Sequence, residues 1–88
     1  MKITTSKGKT LEINWMWGPL RVSGEVMLEL NDGRNLSEIA ADLEDCETIK
    51  KIDDQAAGKS ELYEGYTVLR SINRNKETGA VQAALAKP

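Results

Sequence analysis

The sequence predicts an α+β fold: a mostly antiparallel β-sheet of about five to six strands, with one helix (about residues 36–45) packed on it. Three observations carry this expectation. Several short runs alternate apolar with polar residues, the period of a half-buried strand. Breaks containing Gly, Asn or Pro separate those runs. Only one stretch repeats its apolar residues at i, i+3, i+4 and i+7, which gathers them on one helix face.

Ile3 and Thr5, then Leu11, Ile13 and Trp15, alternate on either side of Ser6-Lys7-Gly8-Lys9, which predicts a β-hairpin with a Gly-containing turn. If its second strand continues, Trp15 and Trp17 share a face, and Gly18-Pro19 then breaks the chain. Val26, Leu28 and Leu30 alternate with Glu25, Met27 and Glu29 as a half-buried strand that Asn31-Asp32-Gly33 ends. The helical stripe is Leu36, Ile39, Ala40 and Leu43, with Asn35 as N-cap and Glu38 able to reach back to it. The helix is expected to end near Asp45, because Thr48-Ile49-Lys50-Lys51-Ile52 is more β-branched than helical. Asp53 to Ser60 is a polar loop. Tyr66, Val68, Arg70, Ile72 and Arg74 then share one strand face, and Thr67, Leu69, Ser71 and Asn73 the other. Asn75-Lys76-Glu77-Thr78-Gly79 turns the chain into a last strand with Val81, Ala83 and Leu85 on one side, closing a second hairpin.

Composition narrows the chemistry. Eighty-eight residues make one small domain, 1–88, with a modest core that buries roughly 60–65% of the unfolded surface. Histidine is absent, so Ser-His-Asp and Cys-His nucleophiles and His-ligated zinc are excluded. A single cysteine, Cys46, permits neither an internal disulfide nor a Cys₂ metal site. Met1-Lys2-Ile3-Thr4-Thr5-Ser6-Lys7 turns polar at once, with no apolar signal core, and no run approaches 18 apolar residues. A cytoplasmic location is the expectation, and there the sequon Asn35-Leu36-Ser37 meets no glycosylation machinery.

Two motifs fail on individual residues. Ala57-Gly58-Lys59-Ser60 has the tail of a phosphate-binding loop, but Asp53 stands where its first glycine belongs, and its carboxylate repels phosphate. Asp53, Gly58 and Glu64 occupy positions one, six and twelve of a calcium loop, yet Gln55 is a weak ligand and Ala57 offers none. Glu44, Asp45 and Glu47 surround Cys46 with negative charge, the opposite of what a reactive thiolate needs. Carboxylate pairs such as Asp53-Asp54 and Asp42-Asp45 lack a partner that marks them for acid–base work. No catalytic residue, metal site or cofactor is expected.

Charge and aromatic residues point to binding instead. Residues 38–64 carry nine acidic and three basic groups, against net +1 before them and +3 after. Glu38, Asp42, Glu44, Asp45 and Glu47 form an acidic helix that either is a solvated face or occupies a basic channel of a partner. Trp15-Met16-Trp17 holds both tryptophans of the chain. They either fill a core that has no phenylalanine or form an interface or ligand platform, to which Tyr63 and Tyr66 can add. Tyr66, Arg70 and Arg74, with Lys76 in the turn, are a candidate anion site; the alternative is a charged strand face that resists aggregation. A net charge of −2 argues against broad nucleic-acid binding.

Met1-Lys2-Ile3-Thr4-Thr5-Ser6, Leu36-Ser37-Glu38-Ile39-Ala40-Ala41, Glu64-Gly65-Tyr66-Thr67-Val68-Leu69 and Val81-Gln82 give the chain a further aspect: it resembles small prophage-encoded proteins of Gram-positive bacteria. The resemblance implies a counter-defence role, either an anti-CRISPR-like inhibitor or a sponge for a signalling nucleotide. The leading expectation is a non-catalytic phage-derived protein that inhibits a bacterial defence component by occupying a protein surface. An oligomeric sponge for an anionic nucleotide and a structural subunit of a phage particle are the alternatives. The expected partner is a protein, a host nuclease or defence effector; sequence-specific nucleic-acid binding and membrane binding are not expected. Self-association into a homo-oligomer is expected, because a small core gains stability by burying an aromatic patch against a second copy.

Overall fold

The computed structural model describes residues 1–56 and 58–88. Among them the chain forms β1 (Lys2–Thr5), β2 (Thr10–Glu12), β3 (Trp15–Trp17), β4 (Val26–Leu30), α1 (Leu36–Leu43), β5 (Thr48–Ile52), β6 (Ser60–Glu64), β7 (Val68–Arg74) and β8 (Val81–Ala86). The fold is α+β, but its eight strands make two antiparallel sheets, β2-β1-β5-β6 and β3-β4-β8-β7, instead of one sheet of five to six strands.

Two features account for the larger count. The alternating run after the first turn serves both sheets: Ile13 N–H still donates to Met1 O at 2.9 Å, whereas Asn14 N–H donates to Glu29 O at 2.7 Å. The chain crosses between sheets there, so β2 and β3 are separate strands. β6, in turn, begins at the last residue of the expected loop and buries only Tyr63. Its Ser-Glu-Leu-Tyr-Glu sequence carries little apolar alternation, and its pairing with β5 across Ile49↔Tyr63 and Lys51↔Glu61 is what makes it a strand.

Both sheets turn their apolar faces into one buried cluster. Ile3, Leu11, Ile49 and Tyr63 come from the first sheet; Met16, Val26, Leu28, Leu30, Val81, Ala83 and Leu85 come from the second; Ile39 and Leu43 come from α1. The expected stripe on α1 is thus buried at Ile39 and Leu43, with Leu36 packed partly against the cluster. Asn35 has extended backbone at the N-cap but makes no side-chain cap bond; its carbonyl accepts from the N–H groups of Glu38 at 3.0 Å and Ile39 at 3.3 Å. The helix stops at Leu43, two residues early. Asp45 then takes φ 60°, a left-handed conformation that Asp tolerates and that turns the chain toward β5.

A bulge changes the face expected for β7. Leu69 pairs with Leu85 and Ser71 with Ala84, so Arg70 is the extra residue. Leu69 and Ile72 consequently both pack on the core, and the run from Tyr66 through Arg70 to Arg74 no longer shares a face. Gly18, after β3, adopts φ 133°; a Cβ there would sit 2.9 Å from Glu25 O, so only glycine permits this close turn back to β4.

The alternation in β3 separates its three residues energetically. Met16 is 1% exposed, whereas Trp17 is 55% exposed. Met16→Ala is expected to destabilise the fold by about 2–5 kcal/mol and Trp17→Ala by under about 1 kcal/mol, read from urea unfolding midpoints. Equal losses at the two positions would contradict this placement.

Candidate functional site

The tryptophans lie outside the core and the tyrosines inside it. Trp15 is half-buried, and its ring centroid is 6.5 Å from that of Trp17, with the planes inclined at 45°. Tyr63 and Tyr66 are buried and meet edge to face at 6.1 Å. They therefore supply the core aromatics and do not extend the tryptophan surface. Burial, then a hydrogen bond to Glu61 Oε2 at 3.0 Å, pushes the Tyr63 phenol up to about 12.

Strand register builds the surroundings of the tryptophans on the face of the second sheet that points away from the core. Trp17 pairs with half-buried Met27, Met27 with Ala84 and Ala84 with Ser71; Ala84 is buried, so the accessible apolar surface beside Trp17 ends at Met27. Beside it run Trp15, Glu29, Gln82 and Asn73. Gln82 Nε2 and Asn14 Nδ2 donate to the two oxygens of Glu29 at 3.0 and 2.8 Å. These two bonds, that from Gln82 first, hold the Glu29 carboxyl below its ordinary range. The result is an aromatic shelf backed by a fixed carboxylate.

The acidic residues are elsewhere. Glu38, Glu44, Asp45 and Glu47 are exposed, but Asp42 is 8% exposed and its carboxylate receives Arg34 Nη2 at 2.8 Å. Asp42 thus belongs to an internal ion pair and not to an exposed acidic face. Arg34 also forks onto Asp32, and those bonds hold the Asp32 carboxyl below its ordinary range. α1 packs against β7, the opposite edge of the sheet from β3. Three strand spacings separate those edges, about 14 Å, so the helix acids and the tryptophan shelf are two surfaces.

The expected anion site is not assembled. Arg74 Nη1 donates to Asp32 O at 2.8 Å and Gly79 O at 3.0 Å, and its Nη2 donates to Arg34 O at 2.6 Å. Its guanidinium pins the loop before α1 to β7. Tyr66 is buried beneath Lys87, whose Nζ is 5.3 Å from the ring centroid. Arg70 is exposed at the bulge, and Lys76 is exposed in the turn.

Among the described residues no group of three or more His, Cys, Asp or Glu side chains can hold a metal, and no helix is long and apolar enough to cross a membrane. Ala57, first residue of the phosphate-loop-like tail and fifth position of the calcium-loop match, lies outside the described residues. Ser60 opens a strand, whereas a phosphate loop leads into a helix. Cys46 is buried, with its thiol donating to Asp42 O at 3.3 Å.

One residue with a structural part in these surfaces was not singled out by sequence. Lys51 Nζ donates to Met16 O at 2.8 Å and lies 3.6 Å from Glu61 Oε1, tying β5 to the outer edge of β3. Its signal was present in the alternation of Thr48–Ile52, which puts Lys51 on the face of Ile49. Scans against protein-family models, curated proteins and solved structures gave no match to the chain.

Two outcomes are expected from this geometry. Arg74→Ala removes the donor of three carbonyl bonds and lowers stability by about 1–3 kcal/mol in urea unfolding, and Arg74→Lys restores only part of it. The Tyr63 phenol ionises later in the fold than its ordinary 10.0, so its contribution to stability is intact below pH 10.0 and is lost as the pH rises toward about 12. Thermal melts should decline over that interval, and Tyr63→Phe should flatten the decline.

Proposed function

We propose that the chain is a non-catalytic binding protein that acts by occupying a surface of a protein partner, with the Trp15–Trp17 shelf as its main contact. The observation that carries this reading is the exposure of Trp17 beside Trp15, on a strand whose middle residue, Met16, is locked in the core. Tryptophan is enriched among residues that dominate binding energy, and a ring held on a rigid strand loses little freedom on docking. Half-buried Met27, the cross-strand neighbour of Trp17, extends the contact.

The partner class favoured by the resemblance to prophage proteins is a bacterial defence effector, with the protein acting as an anti-CRISPR-like inhibitor. The exposed Glu38, Glu44, Asp45 and Glu47 support a second, electrostatic contact to a basic nucleic-acid channel of such an effector.

The test is cleavage by purified CRISPR effector nucleases with and without the protein. Both tryptophans of the chain lie on the shelf, so intrinsic fluorescence reports its occupancy directly. Inhibition should come with a blue shift in emission, and Trp17→Ala should weaken it by at least about 2 kcal/mol, roughly thirtyfold. Reversing the helix acids should mainly alter association rate and salt dependence. Inhibition indifferent to both tryptophans would refute the shelf, absence of inhibition would refute the partner class, and a blue shift with rising protein concentration alone would assign the shelf to a second copy.

A further inference from the structure

The two sheets end in edge strands that are treated differently. At β3, the carbonyl of Met16 points away from β4 and is capped by Lys51 Nζ, so an inward lysine closes that edge. β6 is one of the two terminal strands of the other sheet, β2 being the second. Gly65 N–H donates to Glu47 O at 2.9 Å, in line with the register Ile49↔Tyr63 and Lys51↔Glu61. In an antiparallel pair every second residue bonds its partner strand, so Glu61 and Tyr63 are bonded to β5, and the N–H and C=O of Leu62 point outward. The Leu62 side chain is itself 60% exposed.

A groove of about 580 Å³ follows this open edge, lined by residues 61–64 of β6 together with Gly18, Pro19, Tyr66 and Lys87. That volume falls within the roughly 300–1,000 Å³ of ligand-sized clefts. Its charge is defined. Glu61 is engaged by Lys51 and Tyr63, and Lys87 lies over Tyr66. Glu64 is exposed and has no salt bridge among the described residues. Glu64 and Leu62 are two apart in a strand and so share a face.

From the outward backbone of Leu62, the groove beside it and the unpaired Glu64, we infer that β6 accepts an extended peptide segment as a fifth strand, one carrying an apolar residue two positions from a lysine or arginine. Main-chain bonds to Leu62 provide the docking, the apolar side chain covers Leu62, and the basic side chain meets Glu64. The groove reaches Gly18 and Pro19, which directly follow Trp17, so the site borders the tryptophan shelf, but its docking groups lie on the other sheet.

The probe is a capped eight-residue peptide of alternating threonine and valine with one leucine two residues from one lysine, added to the intact protein. Backbone amide NMR with hydrogen exchange reads the site. At about ten times its Kd, the peptide should slow exchange at the Leu62 amide about tenfold and shift the signals of residues 60–66 more than those of the tryptophan side chains. A peptide methylated on the backbone nitrogens that face β6 should not bind. Glu64→Lys should weaken the lysine peptide about five- to tenfold and favour a glutamate-for-lysine version by a similar factor. Binding unchanged by charge reversal, by backbone methylation, or centred on Trp15 and Trp17 would overturn the inference. So would protection of Leu62 that rises with protein concentration in the absence of peptide, which would assign the edge to a second copy of the chain.

Discussion

Ile3 and Ile49 on one sheet, Leu28, Val81 and Leu85 on the other, and Ile39 and Leu43 on the helix belong to a single buried cluster, and the remaining architecture depends on it. Neither four-stranded sheet covers its own inner face, so each is covered by the other sheet together with Ile39 and Leu43 of α1. The crossing between Glu12 and Trp15 follows from this, since the chain must leave one sheet to reach the other. So does the distribution of aromatics. The two tyrosines fill the core as an edge-to-face pair, and the larger tryptophans stay on the outer face of β3 because Met16 takes the inward position.

The helix is held by charge as well as by its apolar stripe. Arg74 reaches from β7 to the carbonyls of Asp32, Arg34 and Gly79, while Arg34 joins Asp32 to Asp42 on α1. These bonds fix the loop that leads into the helix; they serve carbonyls and carboxylates and leave the helix N–H groups, which Asn35 does not cap with its side chain, to other acceptors. They also explain why Arg74, which looks available for an anion in the sequence, is already engaged. A guanidinium has donors arranged to serve several carbonyls at once, a task a lysine performs less well.

Surface features of the molecule derive from the same pairing of sheets. Each sheet has edges, and an unpaired edge presents backbone groups to any extended chain. One such edge, β3, is closed by Lys51 and carries the aromatic shelf on its outer face; another, β6, remains open along a groove bordered by carboxylates. The acidic middle of the sequence thus divides into distinct parts in space: an internal pair at Asp42, exposed groups near the end of α1, and Glu61 and Glu64 along β6.

Strand β4, the hairpin of β7 and β8, the first hairpin turn and the start of α1 were legible because each is a local pattern of period or turn chemistry. The tryptophan pair was legible as a feature but not in its placement, since alternation alone says that Met16 and the tryptophans face opposite ways, not which side is the core. The amino-acid order by itself determined the α+β class, the antiparallel pairing of near neighbours and the absence of any histidine- or disulfide-dependent chemistry. Only the tertiary structure decided that there are two sheets, that Asp42 and Arg74 are structural, and that β6 is a strand with an open edge. The physical reason is range: periodicity and turn propensity act over a few residues, whereas the partners of Lys51, Arg74 and β6 are brought close only when the shared core forms.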